Sequence, residues 1–275
     1  MSNAIVMLVD DYSFPGACIT IKSILNTSKK INFDFVIFTW NDLSEKNKNF
    51  LKMLYNGLIF KEVNQDDYKN CKFSSFPRKW NYNCAYRFEI FTLSQYKKIL
   101  YIDCDFLVQK DLTILFNKKY LFGAVKASND CLFQGKKTFN AGLLLIDNFF
   151  LKNTIKNSLI SLNTSPGPLF NNSTDWISDE PILNSFFNSH VKFIDKKFNY
   201  LITSLKLEKN YNNINFHFNG DIKPWQSKIF IKIYNECFLK TFLENNGTRG
   251  LLILKKIFKK YESYLNLISI PIISL

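Results

Sequence analysis

Glycine and proline are scarce, with 9 and 7 among 275 residues. That scarcity excludes collagen-like repeats and linker-dominated chains. Histidine is rarer still, so imidazole chemistry has only His190 and His217 to draw on. The six cysteines (Cys18, Cys71, Cys84, Cys104, Cys131 and Cys237) form no CxxC pair and no regular spacing. This argues against a metal cluster or a disulfide scaffold and for reduced, mostly buried thiols in a cytosolic protein. No apolar run approaches the roughly 20 residues that span a bilayer. The first residues lack the basic region, apolar stretch and cleavage site of a signal peptide, so a cytoplasmic location is expected. Acidic residues are also in short supply, 23 against 36 Lys+Arg, for a formal net charge of +13. An anionic partner follows: nucleic acid, an acidic membrane surface or a phosphorylated small molecule. Charge alone does not choose among them.

What is abundant is apolar. With 47% hydrophobic and 21% charged residues the chain has material for a large core, which excludes disorder. The length allows one large domain or two small ones. The 28 phenylalanines favour buried packing over exposed stacking, and no nucleic-acid motif is present. Nucleic acid is therefore not an expected partner.

Short apolar runs alternate with helical patterns. Strands are expected at Ala4 to Val9, Phe33 to Thr39, Leu58 to Val63, Ile99 to Ile102, Leu121 to Ala127 and Gly142 to Ile146. Helices are expected from Pro15 to about Leu25, from Ser44 as N-cap to about Tyr55, and over Tyr82 to Leu93, Phe149 to Leu162 and Glu180 to Ser189. Asn163 to Asn172 reads as a loop near the site. Such alternation implies βαβ units and a mainly parallel sheet covered on both faces. Ligands of such sheets bind beyond the carboxyl ends of the strands. Asp10-Asp11 and Asp103-Cys104-Asp105 both sit at such ends.

Asp103 and Asp105, two residues apart after an apolar strand, can approach one hard divalent cation at a turn. Alone, such a pair is equally well two solvated turn aspartates. In Asn215 to Trp225, His217 can serve as a third ligand or as a satisfied, half-buried side chain. Lys223 can neutralise a phosphate, Gly220 allows close backbone approach, and Pro224 and Trp225 would wall the loop.

Taken in order, these stretches resemble glycosyltransferase family 8, the retaining sugar-nucleotide transferases that include glycogenin and bacterial lipopolysaccharide galactosyl- and glucosyltransferases. The resemblance runs over about residues 4 to 226. It begins with Ala4 to Tyr12 and Pro15-Gly16-Ala17, and continues through Tyr86-Arg87-Phe88 and Asp103-Cys104-Asp105. Phe139-Asn140-Ala141-Gly142, Asp179-Glu180-Pro181-Ile182-Leu183-Asn184 and His217 through Trp225 complete it.

The resemblance implies an α/β fold of the GT-A, nucleotide-diphospho-sugar transferase type, with a Rossmann-like, mainly parallel sheet. It implies Mn²⁺, with Mg²⁺ as the substitute, held by Asp103, Asp105 and His217, and a UDP-hexose donor. Met7, Val9 and Asp10 would border the uracil and ribose. Arg87 and Lys223 would offset phosphate charge, with Cys104, Ala141 and Gly220 lining the donor site. Asn140, Asp179 and Glu180 would form the catalytic, hexose-facing side. The chain departs from the family pattern twice: Val9-Asp10 stands where Thr-Asn is frequent, and Glu180 where Gln is usual. Three roles are open to Glu180: stabilising oxocarbenium-like charge, acting as a weak nucleophile, or sitting as a salt-bridged bystander.

The expected activity is retaining transfer of galactose or glucose to a hydroxyl of a glycan or glycolipid acceptor, bacterial lipooligosaccharide or capsule. The competing readings are a metal-dependent phosphohydrolase, which an Asp-x-Asp after a strand also suits, and a non-catalytic sugar-nucleotide or membrane-binding protein. Residues 1–226 would form the catalytic domain and 227–275 a helical extension. In the extension, Leu254, Ile257, Phe258, Tyr261, Leu265 and Ile268 recur at helical spacing, with Lys255, Lys256, Lys259 and Lys260 on the other face. This basic amphipathic tail suits either an anionic membrane interface or packing on the core. The apolar Tyr264 to Leu275 favours the membrane, which would place the protein on the inner face of the cytoplasmic membrane.

Overall fold

The computed structural model describes residues 1–71, 84–127, 132–133, 136–164, 179–202, 213–219, 223–225, 256–257, 259–264 and 266–267. Strand β1 (Asn3–Leu8) leads into helix α1 (Phe14–Thr27), β2 (Phe33–Thr39), helix α2 (Glu45–Leu54) and β3 (Leu58–Glu62). Then follow β4 (Lys98–Ile102), β5 (Phe106–Leu107), β6 (Phe122–Lys126), β7 (Leu132–Phe133), β8 (Lys136–Lys137) and β9 (Phe139–Asp147). Helices α3 (Asn153–Thr164) and α4 (Asp179–Phe187) precede β10 (Val191–Ile194), β11 (Tyr200–Leu201) and β12 (Phe216–His217).

Seven strands form the main sheet in the order β10-β6-β9-β4-β1-β2-β3. It is mixed: β9 runs antiparallel to both its neighbours, β4 and β6, while the other pairs are parallel. Alternate residues of each central strand enter opposite cores. Ile5, Met7, Ile37, Leu100 and Leu145 pack on one face with α1, and Ala4, Val6, Val36, Tyr101 and Leu144 on the other with α3 and α4. Double burial is why these strands read as unbroken apolar runs with no polar alternation.

The expected elements recur with shifted ends. The Ser44 hydroxyl caps α2 by accepting from the Asn47 N–H. Three readings change. The helix expected over Tyr82 to Leu93 is α-helical at 84–85 and continues as a 3₁₀ segment at Tyr86–Thr92, with Tyr82 itself outside the described residues. Tyr86 through Phe91 are all buried, and the tighter three-residue turn sends them in several directions. The helix expected from Phe149 begins only at Asn153, after a separate 3₁₀ turn at Asn148–Phe150. Asn163 and Thr164 close that helix instead of opening a loop, and the rest of that loop, 165–172, lies outside the described residues.

A small second sheet, β11-β12-β5, brings the distant His217 strand against the turn after β4. Among the described residues no helix is long and apolar enough to cross a membrane. Cys18, Cys71, Cys84 and Cys104 are free thiols, while Cys131 and Cys237 lie outside the described residues. From the tail, Ile257 and Tyr261 are buried in the main core, and Tyr261 meets the Phe218 ring edge-on at 5.0 Å. Lys256, Lys259 and Lys260 are on the exposed side, and Lys260 Nζ donates to Gln109 Oε1 at 2.6 Å. Leu254, Lys255, Phe258, Leu265, Ile268 and the final 268–275 lie outside the described residues.

Candidate active site

After β3 the chain crosses back to place β4 on the other side of β1. The carboxyl ends of β1 and β4 therefore open a crevice at the point where strand order reverses, the usual ligand site of such sheets. Asp10 leaves β1 at this crevice, where its Oδ1 accepts from the Ser13 N–H at 2.7 Å. Asp103-Cys104-Asp105 turns the chain from β4 into β5. The Cys104 thiol donates to the Leu8 carbonyl at 2.7 Å, tying the two strand ends together.

The antiparallel β5–β12 pairing sets His217 opposite Phe106, and the imidazole stacks on that ring at 4.5 Å between centroids. Its Nε2 then lies 3.1 Å from Asp105 Oδ1 and 3.6 Å from Asp103 Oδ2. Among the described residues these three form the one group whose ligand atoms converge, all within 4.8 Å. Asp105 Oδ1 is buried and accepts from no fixed donor; His217 Nε2, 3.1 Å away, would donate to it only if it carried a proton. An orphaned carboxylate oxygen inside a protein is costly unless something else satisfies it. Two carboxylates and one imidazole are a donor set that suits Mn²⁺ or Mg²⁺. The residues present therefore fit a divalent cation.

Two cations flank the cluster. Lys223 Nζ donates to Asp105 Oδ2 at 2.5 Å and to the Phe218 carbonyl at 3.1 Å. Burial pushes the Asp105 carboxyl up, but the Lys223 ammonium beside it overrides this and holds it below the ordinary carboxylate range. Arg87, carried in by the 3₁₀ segment, donates to Asp103 Oδ1 at 2.8 Å and pairs with Asp179. Its guanidinium lies over the Tyr101 ring at 4.8 Å, and the Tyr101 hydroxyl donates to Asp103 Oδ1 at 2.5 Å. Arg87 is thus a clamp between two carboxylates from distant segments.

Glu180, at the start of α4, accepts through Oε2 from the Ala141 N–H at 2.9 Å and from Asn140 Nδ2 at 3.0 Å. Burial raises its pKa to about 7, against the opposing pull of the Ala141 N–H. Burial likewise raises Asp179, and Arg87 works against it.

Met7 and Val9 are fully buried in the sheet core, with no exposed surface. Gly220 lies outside the described residues. Gly16 and Trp225, from opposite ends of the motif series, pack together: a β-carbon at 16 would come within 2.4 Å of the indole and 2.7 Å of the Cys104 carbonyl. Two groups in the site went unread in the sequence. Tyr101 looked like one more apolar strand residue. Asn199 sits in a stretch with no motif, so no signal marked it.

A family description, glycosyl transferase family 8, matches residues 4–229. The chain belongs to this family. A glycosyltransferase-named protein of Haemophilus influenzae is 28% identical over 252 residues, which cover 82% of this chain and 73% of that one. Glycosyltransferase GlyF of Streptococcus pneumoniae serotype 4 is 28% identical over 243 residues, covering 82% of this chain and 58% of its own. The chain thus spans little more than half the length of GlyF. Among solved structures, galactosyltransferase LgtC in complex with donor and acceptor sugar analogs is 21% identical with a TM-score of 0.65. That match covers 88% of this chain and 96% of LgtC. An active-site glutamine-to-glutamate variant of LgtC matches with the same TM-score of 0.65 at 21% identity, covering 84% of this chain and 95% of that one. The fold is therefore the GT-A arrangement of LgtC, and this family 8 protein is a glycosyltransferase. Family membership removes the phosphohydrolase reading.

Proposed function

We propose that this family 8 glycosyltransferase moves a hexose, galactose or glucose, from a UDP-sugar to a hydroxyl of a glycan or glycolipid acceptor with retention of configuration. The observation that carries the reading is the convergence of Asp103, Asp105 and His217 with a buried, unsatisfied Asp105 oxygen. Support for the hexose comes from the likeness to LgtC, a galactosyltransferase solved with donor and acceptor sugar analogs. Mn²⁺ or Mg²⁺, when bound, would supply positive charge for a departing diphosphate. Asp103, Asp105 and His217 would hold it.

The chain's own residues divide the remaining work. Lys223 would place a compact ammonium beside the same diphosphate and stabilise charge that grows as the glycosidic bond breaks. Arg87 neutralises Asp103 and Asp179, which keeps two carboxylates folded into one site and leaves less net negative charge facing an anionic donor. Asn140, Asp179 and Glu180 would face the hexose. Asp10, with Met7, Val9, Cys104, Ala141 and Gly220, would line the nucleotide side. The family resemblance puts Glu180 where Gln is usual, and an active-site glutamine-to-glutamate variant of LgtC is among the solved structures of similar fold. A carboxyl with a pKa near neutrality can there donate or accept a hydrogen bond at the transferred sugar.

Residues 1–226 would carry donor and acceptor binding, with 227–275 as an extension. Attachment of the tail to an anionic inner membrane face, beside a lipooligosaccharide acceptor, would among the described residues use the exposed Lys256 and Lys259, because Ile257 and Tyr261 are occupied by the core. A panel of UDP-hexoses tests the main reading: UDP release and product on a glycan acceptor are followed with Mn²⁺, with Mg²⁺ and with chelator. One UDP-hexose should turn over in a metal-dependent manner. Equal turnover in chelator would remove the metal from the reading, and no turnover of any UDP-hexose would remove the donor.

A further inference from the structure

Asn199 is buried with 1% of its surface exposed, in a stretch that no motif marks. Its side chain joins two parts of the site. Nδ2 donates to Asn140 Oδ1 at 2.8 Å, and Oδ1 lies 2.9 Å from His217 Nδ1.

The orientation of each amide follows from a backbone group that can only donate. The Gly142 N–H reaches Asn140 at 3.0 Å, so the Asn140 atom there is the oxygen. The other Asn140 atom is then the amide nitrogen, which agrees with its acceptor, Glu180 Oε2. Asn199 must present its own nitrogen to the Asn140 oxygen, which leaves its oxygen facing His217. An amide oxygen cannot donate, so His217 Nδ1 must carry the proton. In a neutral imidazole the lone pair then sits on Nε2. That lone pair points at Asp105 Oδ1 and Asp103 Oδ2, neither of which it can hydrogen-bond.

We propose that Asn199 is a positioning residue that locks His217 in the Nδ1–H form, so that Nε2 is presented to a divalent cation, and that it relays this lock from the Gly142 N–H through Asn140. The metal-affinity part rests on the metal-site reading above; the tautomer part does not. Without the lock, an Nε2–H would face the orphaned Asp105 oxygen 3.1 Å away and satisfy it, occupying the position a cation needs. Partners that orient a ligating imidazole are worth roughly ten- to hundredfold in metal affinity.

The chain has only two histidines, which makes the ring directly observable. Long-range ¹H–¹⁵N spectra of the metal-free full chain, recorded over a pH series up to the point where the ring itself is seen to be neutral, report which nitrogen carries the proton. His190→Gln assigns the remaining ring. The wild-type His217 should show the Nδ1–H pattern, and Asn199→Leu should shift it toward Nε2–H. Mn²⁺ binding followed by electron paramagnetic resonance should weaken roughly ten- to hundredfold in Asn199→Leu. Asn199→Asp keeps an acceptor for Nδ1–H, so it should retain the wild-type tautomer, while losing the donor to Asn140 Oδ1 that completes the relay. An Nε2–H pattern in the wild type overturns the inference even if Asn199→Leu fails to fold. An unchanged ring and unchanged Mn²⁺ affinity in a folded Asn199→Leu also overturn it. Absence of Mn²⁺ binding by the wild type, with the Nδ1–H pattern present, overturns the metal reading and the affinity part while leaving the tautomer lock supported.

Discussion

Gly142 and His217 are packed against each other without room for a methyl group. A β-carbon at 142 would stand 2.3 Å from His217 Cε1 and 2.9 Å from Asp103 Oδ2. Contacts that short force the imidazole or the Asp103 turn to move. Gly142→Ala should therefore weaken Mn²⁺ binding at least about tenfold, since ligand position is held to within fractions of an ångström. Calorimetric titration with Mn²⁺ checks this, and wild-type affinity would show that the ring yields without harm.

Asp103 and Asp105 should fail in different ways. Asp103→Asn leaves Arg87 paired with Asp179, so the protein should fold and lose metal-dependent turnover. Asp105→Asn should lose turnover and also leave the Lys223 ammonium buried without its carboxylate. Breaking one side of a buried pair costs about 3 kcal/mol or more. Donor turnover and urea melts of both variants separate the two effects. Equal stability of the two would show that Lys223 finds water or another partner.

Lys223→Ala should raise the donor KM and lower kcat together, because the ammonium would act on both the bound diphosphate and the leaving group. Steady-state kinetics with the best donor decide this, and unchanged constants would put Lys223 outside the reaction.

Glu180 gives the protein a stability term that runs opposite to that of a salt-bridged carboxylate. Its pKa is raised from 4.5 to about 7, so the folded chain holds an extra proton between those values. Stability from this group is full below the lower value and is lost as pH rises through the upper one, by about 3 kcal/mol. Glu180→Gln removes the group that ionises. In chelator, the variant should match the wild type near pH 4.5 and exceed it near pH 8. Parallel stability curves across that range would place Glu180 in an ordinary, hydrated setting.

The tail should behave as part of the core. Truncation after Asn246 removes the buried Ile257 and Tyr261. Removing a buried aliphatic side chain alone costs about 2–5 kcal/mol, which for a domain of this size is a fall in Tm of roughly 5–10 °C. Ile257→Ala tests the same contact without shortening the chain. Flotation with phosphatidylglycerol vesicles at low and high salt reads the lysine face separately. Salt-sensitive binding lost in a Lys256→Glu, Lys259→Glu double variant would establish membrane attachment, and no binding by the wild type would end it.

The strands, α1, α2 and the crevice were legible in the chain itself, because a sheet buried on both faces must be written as apolar runs and its ligands must gather where those runs end. The Asp103-Cys104-Asp105 turn was legible for the same reason: two carboxylates directly after Ile102 have no apolar explanation. The partners of those carboxylates were not. His217 meets Asp105 only through the short β5–β12 pairing, and two-residue strands leave no periodic trace. Arg87 and Lys223 read as phosphate-binding cations, but tertiary packing also gave them carboxylate partners of their own. The helical spacing of Ile257 and Tyr261 fixed an apolar face without saying what would cover it, since core and membrane reward the same spacing. Asn199 had no sequence signature at all. An amide's hydrogen-bonding direction is set by whichever donors and acceptors surround it, and those come from β9, α4 and β12, segments that only the folded chain brings together.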